Sequence, residues 1–290
     1  MKIAVRAAMI VAAVLAAFIA HPLPAGAAQN APGTTEHTIA MGDWDRPYLL
    51  HTPPNPNPGK RLPLIVALHG GLNDAAYVEN QSGLDKVADE EGYAVAYPDG
   101  LLGTWNAGAC CWFARWAGVD DVGFLDKLID TLVKQGVADP GRVFVTGFSN
   151  GGGMAYRYAC ERADKVAGIA VVSGALAIGC TPKRPVSVLA FHGTWDPSVP
   201  YTGGGNMDAD VHFPFVGVQV LMEFWRWVDK LPALSWPVPD GPEGCVGTGP
   251  GSVEVALCTK QQGGHEWPDY ASKLIGEFFA SRPSLPEPAA

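Results

Sequence analysis

The sequence predicts an α/β fold: a single domain with a mainly parallel sheet flanked by helices. Three observations carry this expectation. Short continuous apolar runs, such as residues 63–68, fit strands buried on both faces. Stretches with helical periodicity alternate with them, for example Val122, Leu125, Leu128, Ile129 and Leu132. Finally, Gly147-Phe148-Ser149-Asn150-Gly151 lies between a β-rich run at 142–146 and a helix-like run at 152–160. Strand, sharp glycine turn and helix form the setting of a nucleophile elbow, which lifts a serine hydroxyl clear of a sheet.

The 290 residues are 48% hydrophobic and 17% charged, which suits one large domain with a substantial core. At the start, Lys2 and Arg6 precede an apolar run at 7–20 and small residues around Ala27 and Ala28. This reads as a signal peptide over 1–28, cleaved near Ala27 or Ala28. The run is too short for a membrane span, so no membrane partner is expected. No cysteine follows it to carry a lipid anchor. Without Lys2 and Arg6, 18 basic residues face 29 acidic ones, a net charge of −11. Such a surface repels phosphate backbones and argues against a nucleic-acid partner. An oligomeric state is not legible.

Residues 29–36 read as a loose arm and 37–281 as the catalytic domain. Within the latter, 47–52 reads as an edge strand and 53–61 as a proline-rich loop. The strand at 63–68 runs into His69-Gly70-Gly71. Residues 74–91 read as largely helical, and 93–97 as the next strand. A long aromatic loop follows, with Trp105, Cys110, Cys111, Trp112, Phe113 and Trp116. Loops of this length in compact domains tend to be functional. Asp120 and Asp121 read as capping groups of the helix behind them. After the elbow come strands at 166–172 and 186–191, a helix at 215–231, a strand at 253–258 and a helix at 271–279. Residues 282–290 form a proline-rich tail.

A serine needs a base, and the base needs a carboxylate that fixes its tautomer. Behind an elbow these follow in the order acid, then histidine, each on a loop after a strand. Asp196 stands after the strand ending at 191, and His265 after the strand ending at 258. The expected catalytic set is therefore Ser149, Asp196 and His265. Asp208 and Asp210 are less well placed as acids. With His212 they hint at a metal site but fall short of a ligand set, so no metal is expected. The oxyanion donors are expected at the backbone of Asn150 and at Gly71 or Leu72. His69, Trp105, Trp195 and Trp267 are candidate substrate-binding residues, with Trp112 and Trp116 nearby in sequence. Neither a dinucleotide nor a phosphate-loop motif occurs. A non-catalytic binding protein on a hydrolase scaffold is the alternative from another class.

The six cysteines suit disulfides in an exported chain. Cys245 and Cys258 flank a glycine-rich turn and are the expected pair. Adjacent Cys110 and Cys111 are expected to reach Cys160 and Cys180 rather than each other, because a vicinal bridge strains the peptide.

In order along the chain stand His69-Gly70-Gly71, Trp105-Asn106-Ala107-Gly108 with Cys110-Cys111, Val119-Asp120-Asp121-Val122, Gly147 to Gly153, His192-Gly193-Thr194 with Asp196 and Val199-Pro200-Tyr201, and Gly264-His265 with Trp267-Pro268. This set resembles the secreted esterase family of polyhydroxybutyrate depolymerases and bacterial feruloyl and acetylxylan esterases. The resemblance covers about residues 37–280. It implies an α/β-hydrolase fold and an ester substrate, either a polyester oligomer or an esterified plant-polysaccharide fragment. It also implies no metal or organic cofactor and the triad Ser149, Asp196 and His265.

Overall fold

A computed structural model describes residues 33–42, 44–54, 59–205 and 214–286. The signal-peptide expectation, Asp208, Asp210, His212 and the last four residues lie outside them.

The sheet is assembled around β3 (Leu62–Leu68), β4 (Ala94–Pro98), β5 (Ala138–Phe148), β6 (Gly168–Val172), β7 (Ser187–Gly193) and β10 (Val255–Lys260). These six strands pair in parallel, in the order β4-β3-β5-β6-β7-β10. Antiparallel additions extend both sides. β2 (Trp44–Thr52) pairs with β4, and β1 (Gly33–Met41) with β2. At the other side β9 (Cys245–Gly247) pairs with β10, and β8 (Trp236–Pro237) with β9.

Successive residues of a strand point to opposite faces, and β3 shows the consequence. Leu64, Val66 and Leu68 join an apolar layer with α4 (Asp121–Lys134), α5 (Asn150–Glu161) and α6 (Val218–Val228). Ile65 and Ala67 join the opposite layer with α1 (Ala75–Ser82), α2 (Leu84–Glu91) and α7 (Ala271–Ala280). A short helix, α3 (Trp112–Trp116), sits in the aromatic loop.

Several expectations change. The arm at 29–36 is not loose where it is described: β1 begins at Gly33 and pairs with β2 along its whole length. It escaped notice because its one buried apolar residue is Ile39. β2 is therefore an interior strand, and β1 takes the edge. The helix expected over 74–91 breaks at Gly83, whose φ of 59° stops α1. Asp74 caps α1 by accepting the Tyr77 N–H at 2.8 Å. The helix expected over 215–231 spans only Val218–Val228.

Cys245 and Cys258 stand opposite each other in the β9–β10 pair and form a disulfide. The second expectation is overturned. Cys160 on α5 bonds Cys180, with Cα atoms 5.6 Å apart, and Cys110 bonds Cys111. The packing of the 180 segment against α5 consumes both distant partners, so the adjacent cysteines have only each other.

Candidate active site

Ser149 has φ 53° and ψ −116°, a backbone state that L-residues rarely occupy. Its neighbours make the turn possible. A Cβ on Gly147 would lie 2.5 Å from the Gly151 carbonyl carbon, and one on Gly151 2.4 Å from the Leu68 and His69 carbonyl oxygens. Glycine is required at both positions. The Ser149 N–H donates to Val172 O at 2.9 Å, which anchors the turn to β6. Behind it, α5 begins, so Ser149 sits at the positive end of a helix dipole.

Strand pairing brings the other two candidates together. β7 and β10 are parallel neighbours, so their carboxyl ends lie side by side. Asp196 lies just past Gly193, and His265 just past Lys260. The two loops are joined by Thr194 N–H to Lys260 O at 3.0 Å, Trp195 N–H to Gly263 O at 2.9 Å and Gln262 N–H to Thr194 Oγ1 at 2.8 Å. His265 Nδ1 lies 2.8 Å from Asp196 Oδ2. Asp196 is buried, and its Oδ1 accepts the Ser198 and Val199 N–H groups, both at 2.8 Å. Burial alone would push this carboxyl up. Hydrogen bonding from His192 and His265, the charge of His265 and the Val199 amide outweigh it and hold the group well below the usual carboxylate range. His192 Nε2 is nearer Val199 O (2.8 Å) than Asp196 Oδ2 (3.4 Å), so its proton mainly faces Val199. The His265 ring packs on Phe148, the residue before Ser149, with centroids 4.8 Å apart.

With Nδ1–H given to Asp196, the His265 Nε2 is an acceptor. That combination suits proton transfer to and from a serine hydroxyl.

Of the expected oxyanion donors, Asn150 opens α5, where the first N–H groups have no intrahelical acceptor. The Leu72 N–H is taken up by Gly103 O at 2.7 Å, which leaves Gly71 as the candidate on that loop. The Trp112 ring covers Gly71 so closely that a Cβ there would lie 2.0 Å from it.

The expected substrate-binding residues separate. Trp105 is fully buried and donates its indole N–H to His69 O at 3.0 Å. It supports the site from inside the core and does not line a pocket. His69 is likewise buried. Its Nδ1 faces Gly70 O at 2.7 Å and its Nε2 accepts the Gly100 N–H at 2.8 Å. Burial lowers its pKa to about 4, so the ring is a neutral brace between two loops. Trp267 is half-buried, with its indole N–H on Ser272 Oγ at 2.9 Å. Trp195 is 67% exposed.

Asp120 caps α4 as expected, accepting the Gly123 N–H at 2.8 Å. Asp121 does not act as a cap. It is buried, pairs with buried Arg46 at 2.9 Å, and accepts the Asn106 N–H at 2.7 Å. Burial raises its pKa, and Arg46 counters this. Arg46 also donates to Asp99 O at 2.9 Å and lies over the Phe124 ring, 4.0 Å from its centroid. Nothing local in the sequence marks this pair, whose members are 75 positions apart. Asn150 has a second role that the motif does not announce. Its side chain accepts the Trp105 N–H at 2.7 Å and donates to Trp105 O at 3.0 Å, which clamps the aromatic loop. Among the described residues, no group of three or more His, Cys, Asp or Glu side chains is placed to hold a metal ion.

Residues 47–188 match the family model described as Esterase PHB depolymerase. Over 276 residues the chain is 31% identical to NocK of Nocardia uniformis subsp. tsuyamanensis, a protein named as an esterase. That alignment covers 87% of this chain and 77% of the relative. Over 248 residues it is 32% identical to Feruloyl esterase B of Piromyces equi, covering 78% of this chain. The chain thus spans 43% of the length of that relative. The solved structure of an acetyl xylan esterase from Aspergillus awamori superposes with a TM-score of 0.61 at 17% identity, covering 85% of this chain and 99% of the other. That likeness concerns the fold, which is of the α/β-hydrolase type. On this similarity and on the matched family model, the chain belongs to the esterase family that includes the polyhydroxybutyrate depolymerases.

Proposed function

We propose that the chain is an exported serine carboxylic-ester hydrolase acting through an acyl-enzyme, with Ser149 as nucleophile. The observation that carries this reading is the 2.8 Å contact of His265 with buried Asp196, made beside the strained turn of Ser149. Ser149 Oγ attacks the ester carbonyl as His265 Nε2 takes its proton. Asp196 holds the tautomer and stabilises the imidazolium. The Asn150 and Gly71 amides receive the oxyanion, each donor being worth about 10²–10³ in rate. His265 then protonates the leaving alcohol, and water cleaves the acyl-enzyme by the reverse steps. This chemistry calls for no metal or organic cofactor.

The favoured substrates are feruloyl or acetyl esters of plant polysaccharide, as the names of the Piromyces and Aspergillus proteins suggest. Hydroxyalkanoate oligomers are the second reading, favoured by the description of the matched family model. We place cleavage of the signal peptide near Ala27 or Ala28, and three disulfides fit an oxidising destination. The catalytic domain is put at 33–286. β1 starts four residues before the sequence-based boundary. The expected tail is packed on the fold at its start, with Arg282 buried against Glu254 and the Leu285 N–H on Gly141 O at 2.7 Å.

The test compares the purified mature protein with Ser149→Ala on aryl esters of varied acyl length, methyl ferulate and a polyester suspension. Loss of all turnover in a folded variant is expected. Retained turnover would refute the assignment, and the preferred acyl group separates the two substrate readings.

A further inference from the structure

A cavity of about 520 Å³ opens at the end of the sheet opposite His265. Its lining includes Glu254, which immediately precedes β10, whereas His265 lies beyond the other end of that strand. Six strand residues span roughly 20 Å, so the cavity is separate from the candidate active site.

One wall is Trp236 of β8 and the proline-rich segment 237–239. Trp236 is 57% exposed. Its indole is backed by Gly249, where a Cβ would lie 3.0 Å from the ring. With φ 89°, Gly249 lets the chain pass close against the indole, whose exposed part lines the cavity. The floor is the Arg282–Glu254 ion pair, 2.8 Å long and well buried. The facing wall belongs to α7. Glu277 there pairs one carboxylate oxygen with Lys273 at 2.8 Å. Asp240, at the end of the proline-rich segment, is exposed on the same lining.

These features define a ligand class. Glu254 and Glu277 are ion-paired with Arg282 and Lys273, and Asp240 leaves the lining with an excess of negative charge, so an anion is disfavoured. An exposed indole offers a stacking face, and the exposed Asp240 carboxylate accepts hydroxyl protons. A neutral sugar ring supplies both complements, a C–H face and hydroxyl donors. The volume is that of an ordinary small-ligand site.

We propose that this cavity is a second, non-catalytic binding site for a neutral polysaccharide chain, with Trp236 as its stacking platform. The choice of a plant polysaccharide rests on the substrate reading above. A chain held there raises the local concentration of its own ester groups near Ser149. The site therefore acts on polymeric substrate and not on small esters.

Electrophoresis of the mature protein through native gels containing neutral arabinoxylan or β-glucan tests this. The wild type is expected to be retarded, and Trp236→Ala to weaken retention about two- to tenfold, the scale of one lost stacking contact. Trp236→Phe should keep most of it, and Asp240→Asn should weaken it without loss of fold. Turnover of an aryl acetate should stay unchanged in Trp236→Ala, which also certifies its folding, while KM for esterified arabinoxylan rises. Unchanged retardation in both Trp236→Ala and Asp240→Asn overturns the proposal. So does a wild type that no neutral polysaccharide retards although it hydrolyses aryl esters. Equal, Trp236-dependent binding to polyhydroxybutyrate particles would overturn the sugar class and mark an apolar polyester patch. Turnover by Ser149→Ala sinks the hydrolase reading and leaves the retardation result standing.

Discussion

The elbow at 147–151 and the aromatic loop at 105–121 both border Ser149, and they are held in different ways. The elbow is held by its own glycines, by the strand before it and by the helix after it. The loop is held by distant partners: Trp105 by Asn150 and His69, Asn106 O by Arg157 at 2.6 Å, and Asp121 by Arg46. One region carries most of its geometry in adjacent residues, with one tie to Val172 O, and the other borrows it from three separate parts of the chain: β2, the end of β3 and α5. Changes on the elbow side should therefore remove chemistry and spare the fold, whereas changes to the loop's supports should loosen the fold and alter which acyl groups are accepted.

The largest expected effect is on the chemical side. Asp196→Asn should lower kcat by about 10⁴, because His265 then loses the partner that fixes its tautomer. A variant that keeps near-wild-type kcat would place the acid elsewhere.

Next comes the support of the loop. Arg46→Ala leaves buried Asp121 without its counter-charge and should cost about 3–5 kcal/mol in denaturant unfolding. Replacing both members by apolar residues of similar volume should recover most of that loss. If Arg46→Ala unfolds at the wild-type midpoint, the ion pair does not hold the loop.

His69 joins the two regions and sets a pH dependence. Its folded pKa is about 4, against about 6.5 when unfolded. Between these values the unfolded chain binds more protons, so the His69 contribution is complete above pH 6.5 and is lost as pH falls toward 4. From pH 6.5 to 5 the loss should reach about 2 kcal/mol. His69→Gln should flatten that slope in thermal melts run across the same range.

The smallest change tests the contact between the two regions. Asn150→Ala removes both side-chain bonds to Trp105 and should cost about 1–3 kcal/mol. The backbone amide proposed for the oxyanion is retained. Turnover of an acetyl ester should therefore fall less than turnover of methyl ferulate, whose bulk needs the ordered loop. Equal losses on both esters would mean that the elbow and the loop act as one unit.

The same division explains what was legible beforehand. The elbow, the parallel core strands and the loop positions of Asp196 and His265 could be read because apolar runs and glycine turns are local signals. β1 could not, since its exposed alternation buries only Ile39. Trp105 read as a pocket residue because an aromatic in a long loop looks the same in sequence whether it faces a ligand or the core. Leu72 read as a donor because nothing nearby reveals that Gly103 O takes its amide.

By itself, then, the sequence determined the fold class and the order in which the candidates Ser149, Asp196 and His265 occur. Each follows from backbone preferences and side-chain periodicity within a few residues. Tertiary structure alone decided that Cys110 bonds Cys111, that Asp121 answers Arg46 and not its own helix, and that Asn150 clamps Trp105. These outcomes depend on which buried groups remain unpaired once the sheet has formed. A buried charge or amide must find a partner among whatever the packing brings near.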